Sequence, residues 1–147
     1  MTNGYAAPVL RWYAAHARDL PWRLPDASAW SVLVSEIMLQ QTPVARVLPA
    51  HAAWLARWPT PPSLAAAAAG DAVRHWGRLG YPRRALWLHA TARILTEQHA
   101  GQVPDSVPAL RELPGVGRYT AAAVASFAFG QRHAVLDTNV RDRKSVV

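Results

Sequence analysis

The sequence predicts an all-α protein, and three observations support that class. Segments with apolar residues at helical spacing recur along the chain. Short turns rich in proline and glycine separate these segments. No segment shows the strict polar–apolar alternation that is typical of a half-buried strand. With 147 residues, 51% of them hydrophobic, the chain is long enough to bury a core of its own.

The predicted helices follow one another with short connections. In chain order they are residues 9–17, 29–41, 43–58, an alanine-rich helix capped by Ser63, 70–76, 83–99, a helix from Ser106 to Leu113, and 119–129. Pro43 suits the first turn of the third helix, because the N–H that proline lacks would be unpaired there. In the helix of residues 83–99, the face expected to be apolar carries Leu86, Ala90, Ile94 and Leu95.

The charge balance favours a polyanionic partner. The formal net charge is +7, and the basic residues are spread along the chain. Fifteen of the sixteen lysine and arginine residues are arginines, and the only lysine is Lys144. Charge alone does not name the partner.

Composition also excludes several kinds of site. Because the chain has no cysteine, it cannot itself form disulfides, thiolate zinc sites or cysteine-held iron–sulfur clusters. No signal peptide is recognisable, and the longest apolar stretch, near residues 121–129, is too short to cross a bilayer. A cytoplasmic protein is therefore expected. The histidines show no metal-ligand spacing and are expected on the surface or on helix faces: His16, His51, His75, His89, His99 and His133.

The stretch "LPGVGRYT", Leu113 to Thr120, is a candidate anion site between two predicted helices. Gly115 and Gly117 allow positive φ and leave the backbone uncovered, and the N-terminus of the next helix favours negative charge. Such a loop binds a DNA phosphate without reading a base. The alternative is an ordinary connection with glycine at the helix C-cap. The proposed phosphate-binding residues are Gly115, Val116, Gly117, Arg118 and Thr120.

Several long motifs occur in one order along most of the chain. They are "DLPWR" (19–23), "SEIMLQQT" (35–42), "WGRLGYPRRALWLH" (76–89), "LPGVGRYTAAAVASFAFG" (113–130) and "AVLDTNV" (134–140). In these motifs the sequence resembles the N-terminal catalytic part of the adenine DNA glycosylase (MutY) family, within the helix-hairpin-helix DNA glycosylases. The resemblance implies a six-helix core at residues 22–133. Residues 1–21 would then be an N-terminal helix of an incomplete second domain, and residues 134–147 the start of the return to it.

The same resemblance implies segments that this sequence does not contain. The family continues through further helices, a four-cysteine loop that holds a [4Fe–4S] cluster, and a domain that recognises 8-oxoguanine. None of these is encoded here, and the tail "RDRKSVV" (141–147) matches nothing in the family. The chain is therefore expected to be a fragment or to have an altered end, to bind no cluster, and to be marginally stable.

Two carboxylates are predicted to carry the chemistry. Breaking the bond between a purine and deoxyribose needs a proton for the leaving base and an anion near the cationic sugar. Glu36 has mostly apolar neighbours on its helix, which should raise its pKa and suit it as the general acid, unless it lies on a solvated face. Asp137 is either a simple N-cap or, by the resemblance, the residue that stabilises the sugar. Asn139 would orient water or a carboxylate, and Thr138 stands where the family more often has glycine.

By the same resemblance, other residues would flip out the base and bind it. A base must leave the duplex to be reached, and the gap must be filled. The adenine-pocket residues would be Trp22, Arg23 and Tyr119. The residues that intercalate into DNA would be Leu39, Gln41 and Tyr81, with Pro82 departing from the aromatic that is commoner in the family.

The predicted function is excision of adenine mispaired with 8-oxoguanine or guanine by a monomeric, monofunctional glycosylase acting on duplex DNA. One alternative is an endonuclease III-like glycosylase and lyase, whose Schiff-base lysine would stand at Tyr119 and which lacks an acid at the position of Glu36. Another is a DNA-binding module that uses the hairpin only as a phosphate clamp. A third is a truncated fragment without activity.

Overall fold

A computed structural model describes Gly4 and residues 6–133, and within them it confirms the all-α class. No described residue forms a strand. A 3₁₀ helix, Pro21–Arg23, follows the first α-helix. The α-helices are α1 (Ala6–His16), α2 (Ala29–Leu39), α3 (Val44–Arg57), α4 (Pro61–Ala65), α5 (Ala69–Trp76), α6 (Arg83–Gln98), α7 (Val107–Arg111) and α8 (Arg118–Phe129).

Helix α2 is the centre of the core. Nine of its 11 residues are buried, and it packs against α3, α6, α8 and the 3₁₀ helix. Ser28 caps it, since its side-chain oxygen accepts from the Ser31 N–H at 3.0 Å. Burial of each large apolar side chain stabilises the fold by about 1.5–3 kcal/mol, so this helix is held mainly by packing. Seven α-helices, two of only five residues, occupy the region where a six-helix core was expected.

Three of the tryptophans, Trp54, Trp58 and Trp76, are core residues. Each is at most 4% exposed. Their rings meet edge to face, with centroids 4.7 Å apart for the first pair and 5.7 Å between Trp54 and Trp76. This geometry is favourable for aromatic pairs beyond the area they bury. Trp30 joins the cluster, because its indole N–H donates to the Trp58 carbonyl at 3.1 Å.

The alanine-rich helix begins earlier and ends sooner than predicted. Thr60, not Ser63, is the N-cap, and the two form a capping box in which each side chain accepts the other's backbone N–H. Pro61 then opens the helix, as proline does at a first helical position. The helix ends at Ala65, and α5 starts only at Ala69.

The buried face of α6 matches the predicted one in part, since Leu95 is buried and Ile94 packs against the core. Leu86 is 46% exposed, whereas Ala85, Leu88, Ala92 and Leu95 are wholly buried. The helical period was correct, but the buried stripe excludes Leu86 and includes polar side chains. His89 is one of them, and its ring nitrogen contacts the Ala67 carbonyl at 2.7 Å.

Helix α1 buries none of its residues. Val9, Leu10, Trp12 and Tyr13 are all more than half exposed. The assignment of residues 1–21 to a second domain stays a prediction, and residues 134–147 lie outside the described range. No helix in the described part of the chain is long and apolar enough to span a membrane.

Candidate active site and nucleic-acid interface

Glu36 lies inside the core and not on a solvated face. It is 4% exposed, in the buried middle of α2. Burial raises its pKa from an ordinary 4.5 to about 7, and the nearby positive charge of Arg23 lowers it by a smaller amount. The predicted rise in pKa is therefore confirmed. A carboxyl group with this pKa holds its proton up to neutral pH, as a general acid must.

The 3₁₀ helix places Arg23 at the surface and Trp22 beneath it. The Arg23 guanidinium lies over the Phe127 ring of α8, 3.7 Å from its centroid. Trp22 is 2% exposed and meets the ring of His51 edge to face at 4.9 Å. The Trp22 indole N–H is buried and has no hydrogen-bond partner among the described residues. Its aromatic face is thus part of the core.

A substitution of Arg23 tests directly whether its positive charge lowers the pKa of Glu36. In Arg23→Gln the pKa of Glu36 is expected to rise, because removing the positive charge takes away an interaction that favours the carboxylate. The carboxyl ¹³C chemical shift of Glu36, followed through a pH titration, reports this pKa. Arg93→Gln is the matched control, since Arg93 is exposed and pairs with Glu97. An unchanged or lower pKa in Arg23→Gln would contradict the assignment.

His51, which was expected on a helix face, is buried at 1% exposure. Its Nε2 contacts the Ser31 carbonyl at 3.0 Å, and burial lowers its pKa, an effect that this backbone contact partly offsets. A neutral imidazole is therefore part of the wall behind Trp22. Among the described residues, no group of three His, Asp or Glu side chains is placed to hold a metal ion.

Of the two hairpin glycines that could adopt positive φ, only Gly115 does. Gly115 has φ +78°, and a Cβ added to it would lie 3.1 Å from the Trp87 ring. Gly117 is the N-cap of α8 with φ −92°, and a Cβ there would meet no atom within 4 Å. The first glycine is thus required by the turn. The second leaves the backbone open beside exposed Arg118.

Two of the proposed phosphate-binding residues face inward. Val116 is 6% exposed, and its N–H donates to the Leu113 carbonyl at 3.1 Å. Thr120 is 3% exposed, and its hydroxyl accepts from the side-chain amide of Gln40 at 3.2 Å. The open part of the loop is therefore Gly117 and Arg118, because the other two groups already have partners within the protein.

Gln40 connects the end of α2 to this hairpin, a role that the sequence did not reveal. Its Nε2 donates to the Gly115 carbonyl at 3.1 Å as well as to Thr120. Nothing in the local sequence distinguishes Gln40 from Gln41 beside it. Only the fold shows that the first points inward while the second is exposed.

The proposed intercalating residues lie on two neighbouring turns. Gln41 follows α2 with φ +59°, and Tyr81 precedes α6 with φ +47° and is 63% exposed. Both line a cleft of about 540 Å³, with Pro82 and Arg83 beside Tyr81. Leu39 is only partly exposed, on the last turn of α2. The structure thus brings together Gln41 and Tyr81, which are 40 positions apart in sequence.

Arg84 is a further residue of this region that the sequence did not single out. It is 3% exposed, and its guanidinium donates to backbone carbonyls of both turns. In the sequence it is the second arginine of "PRR", which looks like part of a solvated basic run. Of the remaining candidates, Tyr119 is 38% exposed at the start of α8. Asp137 and Asn139 lie outside the described residues.

Residues 34–143 match the sequence model of a protein family described as "HhH-GPD superfamily base excision DNA repair protein". The chain belongs to this superfamily. The matched region includes Glu36 and the hairpin glycines, so the buried acid and the open loop both lie in the part that defines the superfamily.

Among curated relatives, the chain is similar to adenine DNA glycosylases. It is 56% identical over 133 residues to that of Mycobacterium tuberculosis, covering 90% of this chain and 44% of the relative. It is 43% identical over 146 residues to the human one, covering 94% of this chain and 27% of the relative. The chain therefore spans less than half the length of these HhH-GPD relatives.

Solved structures support the HhH-GPD fold independently. A thermostable thymine-DNA glycosylase matches with a TM-score of 0.83 at 28% identity, covering 90% of this chain and 61% of that one. A non-covalent endonuclease III–DNA complex matches with a TM-score of 0.81 at 22% identity, covering 94% and 63%. At that identity the second match shows the fold alone.

Proposed function

We propose that the protein removes adenine from duplex DNA in which adenine is paired with 8-oxoguanine or guanine, by hydrolysing the N-glycosidic bond. The observation that carries the proposal is Glu36, a carboxyl group buried in a helix with a pKa near 7. The adenine glycosylases of M. tuberculosis and human support the choice of base. An acid that keeps its proton at neutral pH can protonate a departing purine.

The proposed reaction uses Glu36 twice. Its proton passes to a ring nitrogen of adenine as the bond between that base and C1′ of the sugar breaks, which leaves a cationic sugar. Water then adds to C1′, and the proton it loses returns to the Glu36 carboxylate. Asp137 is proposed to stabilise the cation, and Asn139 to orient the water or the carboxylate. Each half-step conserves charge, so no further reactant is required.

The proposed DNA contacts come from the end of α2, the 3₁₀ helix, the turn before α6 and the start of α8. Gly117 and Arg118 would bind a phosphate at the N-terminus of α8. Leu39, Gln41 and Tyr81 would occupy the stack that the flipped base leaves. The flipped adenine would lie near Trp22, Arg23 and Tyr119; Arg23 is supported by its effect on Glu36. Because Trp22 is buried, we assign it to the wall of the pocket and not to its open face.

Excision without strand cleavage is proposed because the lysine needed for a Schiff base is missing from the hairpin. Tyr119 stands where an endonuclease III-like lyase would have it, and Lys144 is the only lysine of the chain. The [4Fe–4S] cluster of the MutY family finds no ligands here, since the chain has no cysteine, and no step is assigned to it. A monomer acting beside the bacterial nucleoid, in the cytoplasm, completes the proposal.

The test uses the protein at the full length that its gene encodes. A duplex with adenine opposite 8-oxoguanine should release free adenine and leave an abasic strand that breaks only after alkali. The same duplex with guanine in place of 8-oxoguanine should also react. Strand breaks without alkali, trapped in high yield by borohydride, would support the lyase alternative. Tight binding without adenine release would support the DNA-binding alternative.

A further inference from the structure

Arg84 is a buried cation whose charge is met by backbone carbonyls. It takes part in no ion pair among the described residues, and its side chain is 3% exposed. Nη1 donates to the carbonyls of Met38 (2.8 Å), Ile37 (3.2 Å) and Gln40. Nη2 donates to the Thr42 hydroxyl (2.8 Å) and to the carbonyls of Gly80 (2.9 Å) and Leu79 (3.3 Å).

These acceptors explain why a charge is tolerated inside the protein. The last carbonyls of a helix have no intrahelical partner, and they form the negative end of its dipole. Arg84 binds this end of α2 and the turn before α6 at the same time. The planar fork of a guanidinium can reach several acceptors at once, which a lysine ammonium cannot do in the same geometry.

The two turns that Arg84 joins both contain a residue in an unfavourable backbone conformation. Gln41 has φ +59° and directly follows Gln40, whose carbonyl Arg84 binds. Tyr81 has φ +47° and directly follows Gly80, whose carbonyl Arg84 also binds. Non-glycine residues rarely adopt positive φ unless the surrounding structure holds them there.

Two further contacts make the two turns one unit. The Thr42 hydroxyl accepts from Arg84 and donates to the Leu79 carbonyl at 3.2 Å. The Trp76 indole donates to the Gly80 carbonyl at 2.8 Å, and the Arg84 guanidinium lies 5.0 Å from the centroid of the Trp76 ring. Gln41 and Tyr81 therefore project into their shared cleft from a backbone fixed on both sides by one side chain.

We propose that Arg84 is a positioning residue that fixes the separation of Gln41 and Tyr81, and thereby controls how easily the target base leaves the duplex. Arg84 is assigned to positioning and not to catalysis, because its guanidinium nitrogens are occupied by backbone carbonyls and the Thr42 hydroxyl. The inference rests on the proposed function, which assigns those two residues to the DNA stack. A variant that lacks the Arg84 guanidinium should therefore flip the base less readily, while the rate of bond cleavage for a base already flipped should be unchanged.

The first test needs no activity. In the full-length protein, Arg84→Lys should speed amide hydrogen exchange at Gln40, Thr42 and Leu79 by about tenfold or more, because the charge-assisted hydrogen bonds of the guanidinium are lost. These three N–H groups donate to backbone carbonyls at or beside the two turns, so their exchange reports local opening. Amides in the middle of α3 should exchange at the original rate. Arg83→Lys is the control, since Arg83 is exposed in the same cleft and its variant should match the original throughout. Faster exchange in every core helix, or none at the two turns, would overturn the proposal.

The second test separates positioning from chemistry. Single-turnover adenine release from the duplex should fall about tenfold or more in Arg84→Lys. Release from a substrate whose adenine is already unstacked in a bulge should change by less than about threefold, and its pH profile should not move. Equal losses on both substrates would overturn the proposal. If the original protein releases no adenine, the proposed function fails, and hydrogen exchange alone decides whether Arg84 fixes the two turns.

Discussion

Glu36→Gln is expected to slow adenine release strongly and to make the folded protein more stable at pH 8 than the original. Loss of the proton donor should reduce the single-turnover rate by about 10²–10⁴-fold. DNA affinity should be retained, because the amide has nearly the same shape as the protonated acid. An amide also cannot ionise, so the variant avoids burying a negative charge above pH 7.

The gain in stability follows from the pKa of Glu36. Its value of about 7 in the folded protein lies above the ordinary 4.5, so the folded state retains a proton that the unfolded state has lost. The free energy of unfolding of the original protein should therefore fall as pH rises from 4.5 to 7 and be level beyond. The total fall is about 3 kcal/mol. The Gln variant should lack this fall, and the difference should show in urea unfolding at pH 4, 6 and 8.

The control for both effects is Glu97→Gln. Glu97 lies on an exposed face of α6 and forms only a surface pair with Arg93. The rate of adenine release should not change in that variant. Its free energy of unfolding should differ from that of the original protein by no more than about 0.5 kcal/mol at each pH. Identical behaviour of the two variants would show that Glu36 has no special environment. A Glu36 variant with full activity would refute its role as the acid.

Replacing the two hairpin glycines by alanine should affect different properties: stability at Gly115 and DNA affinity at Gly117. Gly115→Ala is expected to lower the free energy of unfolding by about 2–4 kcal/mol, from positive φ and from crowding by a methyl group. The new Cβ would lie 3.1 Å from the Trp87 ring. Gly117→Ala should change stability by no more than about 1 kcal/mol, because its φ of −92° suits alanine and its surroundings are open.

The DNA measurement should show the opposite order. A methyl group at Gly117 would lie where a phosphate is proposed to approach the backbone, so affinity for undamaged duplex should fall about tenfold. Gly115→Ala, measured at a temperature where it remains folded, should bind closer to the original. Urea unfolding and fluorescence anisotropy give the two readouts. Equal effects of the two variants on affinity would contradict the assignment of the open loop to phosphate binding.

The sequence was sufficient for the fold class and for the environment of Glu36. Apolar residues at helical spacing located α2 and α8 to within two residues at each end. The rise in the pKa of Glu36 was predictable because its causes are local, namely the apolar side chains one turn away on the same helix. The helix ends were less predictable where a capping side chain, such as that of Thr60, competes with a neighbouring serine.

The buried polar residues were not predictable from the sequence. Arg84, His51 and His89 look like surface residues, because hydropathy assigns charged and polar side chains to water. Each is buried against carbonyls that come from 4 to 47 positions away in the chain, as in the contacts of Arg84 with Gly80 and Ile37. Such partners exist only after the helices have packed. The inward turn of Gln40, compared with Gln41, has the same origin.

The length of helix α2 between Glu36 and Leu39 sets a distance that the proposed mechanism depends on. It carries the proposed proton donor at Glu36 and ends at Leu39, beside the residues proposed to fill the DNA stack. An α-helix rises about 1.5 Å per residue, so these two functions are about 5 Å apart along a rigid axis. In the proposed mechanism, α2 would therefore fix the distance between the vacated position in the duplex and the place of bond cleavage. In that mechanism, a nucleotide that leaves the duplex to a different depth would have no proton donor within reach and would return to the stack with its base attached.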